Sequence, residues 1–272
     1  MTKLKIGIVG CGAIGSSLAK SIAADFSEKT ELTGLYDSDI EKAQKLSDKI
    51  NLAAAARLNL DDLINKSDLI IEATRPEAVF EIAKKALSAS CDIMIMSVGG
   101  VAGHYKELET LAREKGAHIF IPSGAICGID GLKAARLGKI NKVTLTSKKP
   151  PRAFSGIPYI SKKKIRLDNL TEDTVVFEGN ALSAISNFPQ NINVAITLSL
   201  AGIGAENTLV RIVASPNITR NVHEVEIESE AGRIITRTEN VIHPDNPKTS
   251  YLAVLSAVAA LKQILEPVRI GT

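Results

Sequence analysis

The string Gly10-Cys11-Gly12-Ala13-Ile14-Gly15 constrains this chain more than any other feature. It fits Gly-X-Gly-X-X-Gly, and it lies between an apolar strand pattern over Leu4 to Val9 and a helical stripe of Ile14, Leu18 and Ile22. A strand that turns tightly into a helix at such a string brings bare backbone and unpaired helix amides onto an anion. Gly10 permits the turn, Gly12 leaves no side chain in the way, and Gly15 lets helix and strand pack closely. The expected ligand is the pyrophosphate of a dinucleotide, with Ala13 and Ile14 in the first helical turn beside it. A purely structural turn explains the glycines but not their placement.

A second strand pattern ends at Tyr36-Asp37, 22 residues beyond Gly15. That offset suits a carboxylate accepting hydrogen bonds from the adenosine ribose, and its charge repels a 2′-phosphate. NAD is favoured over NADP, while nearby Lys42 keeps NADP open. The alternative role for Asp37 is to cap the helix expected over Ile40 to Ile50, with Ser38 and Asp39 in the same turn. Cys11 adjoins a helix N-terminus, a setting that can lower a thiol pKa, but a bound dinucleotide would cover it.

Strand patterns at Leu4 to Val9, Leu32 to Tyr36, Leu69 to Ala73, Ile93 to Ser97 and His118 to Ile121 alternate with helical stripes such as Val79, Ala83 and Leu87. This order predicts an α/β fold, a Rossmann-type doubly wound parallel sheet, over residues 1–122. After Pro122, strand patterns at Val143 to Ser147, Thr174 to Phe177, Leu209 to Ala214, His223 to Ile227 and Arg233 to Thr238 follow one another largely without long helices. They predict a second, α+β, mostly antiparallel catalytic domain over 123–249. Leu252, Leu255, Ala259 and Leu261 mark a final helix, and residues 250–272 are expected to complete the first domain.

Ligands of open parallel sheets bind beyond the carboxyl ends of the strands. The segments Ala73-Thr74-Arg75-Pro76, Ser97-Val98-Gly99-Gly100 and Ser123-Gly124-Ala125-Ile126 therefore face the nicotinamide end, with Ala73 and Val98 as expected cofactor contacts. Among four histidines, His223 has the most informative address. In His223-Glu224-Val225-Glu226-Ile227-Glu228 the period of two puts the imidazole on the apolar face with Val225 and Ile227. It is either a catalytic group or a hydrogen-bonded core histidine. Cys127 supports a rival chemistry, a thiolate nucleophile of the semialdehyde-dehydrogenase kind.

Composition excludes several classes. Lys plus Arg is 33 against 30 for Asp plus Glu, a net charge of +3, so no concentrated positive field awaits a nucleic acid. Aromatics are 4% with no Trp, which leaves no base-stacking platform. No apolar run reaches the roughly 20 residues of a membrane span, and the start runs directly into a strand pattern, so a cytoplasmic protein is expected. Three scattered cysteines offer no disulfide framework, and no metal-ligand spacing occurs.

The whole chain resembles the L-aspartate dehydrogenase family. The resemblance is carried by the glycine string, Ser123-Gly124-Ala125-Ile126, Lys149-Pro150-Pro151-Arg152, Phe177-Glu178-Gly179, Arg220-Asn221-Val222-His223-Glu224 and two more distinctive strings. These are Asn187-Phe188-Pro189-Gln190-Asn191-Ile192-Asn193-Val194-Ala195 and Asn246-Pro247-Lys248-Thr249-Ser250-Tyr251-Leu252. The resemblance implies that His223 is the active-site histidine, that Ala125 and Asn193 contact the dinucleotide, and that a Lys248-Thr249-Ser250 turn lies near the substrate carboxylates. Arg75 is a further candidate carboxylate partner. It also implies oxidation of L-aspartate by NAD or NADP to iminoaspartate, then oxaloacetate and ammonia, or the reverse amination, linked to NAD biosynthesis in a homodimer. An imidazole titrating near neutrality would handle the protons. Cys127, Arg75 and His104 depart from the family pattern, where a small residue, a serine and an acid are usual. Two alternatives stay open: a dehydrogenase or reductase of another small acid, imine or semialdehyde, and a non-catalytic NAD sensor.

Overall fold

The computed structural model describes residues 2–52, 58–188, 192–244 and 246–271, without the side chains of 192 and 246–248. The chain divides into two compact units, residues 1–122 with 254–268, and residues 123–253 with 269–272.

In the first unit, β1 (Leu4–Val9), β2 (Thr30–Tyr36), β3 (Leu69–Glu72), β4 (Asp92–Ile95) and β5 (Ile119–Phe120) form one sheet in the order β2-β1-β3-β4-β5. Every neighbouring pair is parallel. All four residues of β3 are buried, and the first three are apolar, as expected of a parallel strand covered on both faces. Helices α1 (Ala13–Ala24), α2 (Ile40–Lys49), α3 (Leu60–Asn65), α4 (Pro76–Ser88) and α5 (Tyr105–Lys115) connect the strands. Ile6, Ile8, Leu35, Leu69, Ile71 and Met94 pack with Leu18, Ala19 and Ile22 of α1 and with Ala43 and Leu46 of α2. Each such Ile, Leu or Met side chain stabilises by about 1.5–3 kcal/mol on burial. Pro76 opens α4, where its missing N–H costs nothing, and Gly116 in the left-handed region ends α5.

The second unit contains α6 (Ile129–Ala135), β6 (Ile140–Lys149), α7 (Pro158–Lys162), β7 (Thr174–Asn180), α8 (Ala181–Asn187), α9 (Ile192–Ala201), β8 (Thr208–Ala214), β9 (Asn221–Ser229) and β10 (Gly232–Asn240). The sheet order is β10-β9-β6-β8-β7, antiparallel except for the β6–β8 pair. That parallel pair requires a long crossover, and α8 and α9 lie on it. Helices thus interrupt the strand run more than the sequence pattern suggested, because α9 is apolar nearly all round and shows little periodicity. Its Ala195 and Leu198 join Val143, Leu145, Val210, Ile212, Val225 and Ile227 in a core capped by Phe154, Phe177 and Phe188.

A short hairpin, β11 (Ile242–His243) and β12 (Asn246–Ser250), leads into α10 (Tyr251–Leu265). The final helix therefore begins at Tyr251 rather than Ser250. Its buried stripe is Val254, Ala257 and Leu261, whereas Leu255 and Ala259 are exposed, which corrects the stripe read from the sequence. Small residues all round the helix left its phase open, and packing against the first unit's core selected the Ala257 face.

Candidate functional site

In the first unit the glycine loop is a cradle shaped by the absence of side chains. Gly10 has φ +100°, and a Cβ there would stand 2.4 Å from the Ala73 carbonyl oxygen. A Cβ on Gly15 would stand 1.8 Å from the Gly10 oxygen, so the helix can lie against the strand only as glycine. Gly12 is different: a Cβ would meet nothing within 4 Å, and the space above it is open. Gly12 is also the N-cap of α1 and supplies no side-chain cap, and the first turn holds no acid. The helix end, including Ala13 and Ile14, therefore keeps its positive field for an external anion. These features fit a dinucleotide pyrophosphate.

Asp37 is tied into the cradle. One carboxylate oxygen accepts from the Cys11 amide at 2.7 Å and the other from the Asp39 amide at 2.9 Å. Capping of α2 falls to Asp39, which accepts from the Glu41 amide, so Asp37 is not the helix cap. Lys42 pairs with Asp39 at 3.3 Å. The Cys11 thiol is buried and pushed up to about 12, first by burial and then by the Asp37 charge. The helix end does not activate it. Ala73 donates its amide to the Val9 carbonyl, Val98 is buried at the start of a short 3-10 turn after β4, and Arg75 is exposed at the N-cap of α4.

In the second unit, β9 alternates as its sequence requires. Glu224, Glu226 and Glu228 face outward into ion pairs with Arg237, Arg233 and Lys142, while His223, Val225 and Ile227 face the core. His223 is 7% exposed, and its Nδ1 shares a 2.9 Å hydrogen bond with Ser147 Oγ, directly opposite it on β6. Burial, and then the charge of Lys149, pull its pKa down to about 4. Lys149 is itself lowered to about 8 by burial. The expectation of titration near neutrality is therefore corrected: the imidazole is a neutral group throughout the neutral range.

Around His223, the backbone and side chains of β10 gather further candidates. Thr238 Oγ1, opposite His223 on β10, donates to the Ala125 carbonyl at 3.1 Å. Asn240 Nδ2 donates to the same carbonyl at 3.0 Å, and Asn240 Oδ1 accepts from Ser250 Oγ at 2.6 Å. Ala125 and Ser250, far apart in sequence, are thereby joined through Asn240. Residues Lys248-Thr249-Ser250 lie on β12, not in a turn, and the side chain of Lys248 falls outside the described residues. Asn193 is exposed in the first turn of α9. His243 is buried on β11 against the Tyr251 ring, whereas His104 is exposed and stacks on Phe80. Cys127 is exposed and its carbonyl accepts from Thr236.

Four polar residues of this cluster were given no site role from the sequence: Ser147, Thr238, Asn240 and Lys149, the last quoted only within a family string. Ser147 shares the strand parity of Val143 and Leu145, which signals an inward hydroxyl. Its partner becomes visible only with the β6–β9 register. No group of His, Cys, Asp and Glu able to hold a metal occurs among the described residues.

Residues 10–122 match the family model described as the NAD binding domain of homoserine dehydrogenase, and residues 130–264 match that described as the C-terminal part of aspartate dehydrogenase. L-aspartate dehydrogenase of Methanosarcina mazei is 45% identical over 99% of this chain and the whole of its own length. That of Methanosarcina acetivorans is 47% identical, again over 99% of this chain and all of its own. The crystal structure of aspartate dehydrogenase from Thermotoga maritima superposes with a TM-score of 0.73 at 26% identity, covering 99% of this chain and 100% of that one. A homoserine dehydrogenase from Thiobacillus denitrificans, at 14% identity and a TM-score of 0.63, covers 97% of this chain and 74% of its own and shares the fold. With identity of this order running from end to end of both partners, the chain belongs to the aspartate dehydrogenase family.

Proposed function

We propose that this protein is an NAD(P)-dependent L-aspartate dehydrogenase that oxidises L-aspartate to iminoaspartate, with oxaloacetate and ammonia as the hydrolysis products. The observation that carries the reading is His223: a neutral imidazole, buried, oriented through Nδ1 by Ser147 and ringed by residues that hold Ala125 and Ser250. When bound, the nicotinamide supplies the acceptor for the two electrons that leave the substrate's Cα with hydrogen.

The chain's own groups do the rest. Gly10, Gly12, Ala13, Ile14 and Gly15 hold the pyrophosphate, Asp37 the adenosine ribose, and Ala73, Val98, Ala125 and Asn193 the remainder of the dinucleotide. Lys248, Thr249, Ser250 and Arg75 bind the two substrate carboxylates, and a guanidinium at position 75 can do so through two parallel hydrogen bonds. With Nδ1 engaged by Ser147, Nε2 of His223 exchanges the proton of the substrate ammonium and later that of the water adding to the imine. The two carboxylates of the substrate leave it with a net negative charge, which raises the proton affinity of a nearby imidazole, so binding moves His223 from its low resting value toward the working range. The family resemblance supports a cytoplasmic homodimer, acting on small molecules without nucleic-acid or membrane partners, in either direction of the reaction and in the service of NAD biosynthesis.

The test is NADH formation, read at its near-ultraviolet absorbance, with L-aspartate beside a panel of other amino and keto acids and with both cofactors. L-aspartate with NAD should give the highest kcat/KM. Turnover of another substrate in place of aspartate would replace the assignment, and cofactor binding without any turnover would favour a sensor.

A further inference from the structure

The β3 sequence Leu69-Ile70-Ile71-Glu72 ends three apolar residues with a carboxylate, and Glu72 is 0% exposed. A charge removed from water persists only when its oxygens are well hydrogen-bonded. Those of Glu72 are divided between two turns. Oε1 accepts from the Thr74 amide at 2.6 Å and from Thr74 Oγ1 at 2.7 Å, and Oε2 accepts from the Ser97 amide at 3.1 Å. Ser97 Oγ closes the ring by donating to the Thr74 carbonyl at 2.6 Å.

The two turns follow β3 and β4 at their carboxyl ends. They also interlock by shape, since a Cβ on Gly100 would stand 2.2 Å from the Pro76 oxygen. The first turn continues into the cradle through Ala73, whose carbonyl abuts Gly10. One buried carboxylate thus ties together the segments 73–76 and 97–100, beyond the glycine loop on the side where strand ends receive a ligand.

We infer that Glu72 is a positioning residue for the nicotinamide half of the dinucleotide: its carboxylate holds the Thr74 and Ser97 turns as one rigid seat, leaving the adenosine half to the glycine loop and Asp37. This rests on the dinucleotide reading of the first unit, not on the identity of the substrate. Both backbone partners are N–H donors, so each oxygen must accept. An amide cannot replace the carboxylate, because its NH2 would face one of the two N–H groups.

The experiment compares NADH with ADP-ribose, which lacks the nicotinamide ring, by calorimetric titration of wild type, Glu72→Gln and Thr74→Val. Thr74→Val removes one hydroxyl from the ring while keeping the side-chain shape, and serves if Glu72→Gln does not fold. Glu72→Gln should weaken NADH about tenfold, the scale expected when a buried donor loses its acceptor, and ADP-ribose less than about twofold. Thr74→Val should weaken NADH in the same selective way by a smaller factor. Equal weakening of both ligands, or no change in either, overturns the proposal. Failure of wild type to bind either ligand overturns the dinucleotide reading and the proposal with it, whereas an inactive aspartate assay leaves this comparison intact.

Discussion

Acidification should unload the burial of His223 in a way that can be measured. The imidazole would ordinarily titrate at 6.5, but burial and the Lys149 charge hold it at about 4 in the folded chain. Because the folded value is depressed, the unfolded chain takes up the proton first as pH falls. The associated stability is present above about 6.5, declines through the window down to 4, and is gone below it. The gap corresponds to about 3 kcal/mol, a large part of the 5–15 kcal/mol typical of a folded domain. Urea unfolding of wild type and His223→Gln at pH 7 and pH 4 isolates it, since other groups contribute equally to both proteins. Wild type should lose about 3 kcal/mol more than the variant between these pH values. Labelled-histidine NMR should place the His223 midpoint near 4. A midpoint above about 6, or parallel losses in the two proteins, would refute burial as the dominant force on this group.

The glycine loop makes a paired prediction: Gly12→Ala should fold with a loss of only about 0.5–1 kcal/mol, the N-cap preference for glycine over alanine, but bind NADH poorly, whereas Gly15→Ala should cost about 3 kcal/mol through the clash with the Gly10 carbonyl. Thermal melting and NADH titration on the two variants check it. Asp37→Ser should raise the ratio of NADP to NAD catalytic efficiency by about tenfold, and should cost about 1 kcal/mol through loss of the bond from the Cys11 amide. Steady-state assays with both cofactors and a denaturation curve report the two effects separately. Cys127→Ala should keep turnover within about threefold, because a mechanism built on His223 forms no thiohemiacetal; loss of turnover in a folded variant would return the thiol to the reaction.

The parallel sheet, its glycine turn and the inward face of His223 were legible in the chain because each is set by short-range periodicity. A strand has a period of two and a helix 3.6, and Gly-X-Gly-X-X-Gly occupies only a handful of positions. Sequence pattern likewise placed Glu224, Glu226 and Glu228 on the face opposite His223. Other features were decided in three dimensions. The stripe of α10 could not be phased from a helix rich in small apolar residues, and β11 and β12 are too short to show alternation. His223 meets Ser147 across a separation of 76 residues, and Ala125 meets Ser250 through Asn240. Those pairings depend on strand register, which distant packing selects. The low pKa of His223 follows from the same cause, since exclusion of water is a property of the assembled core and of no local string of residues.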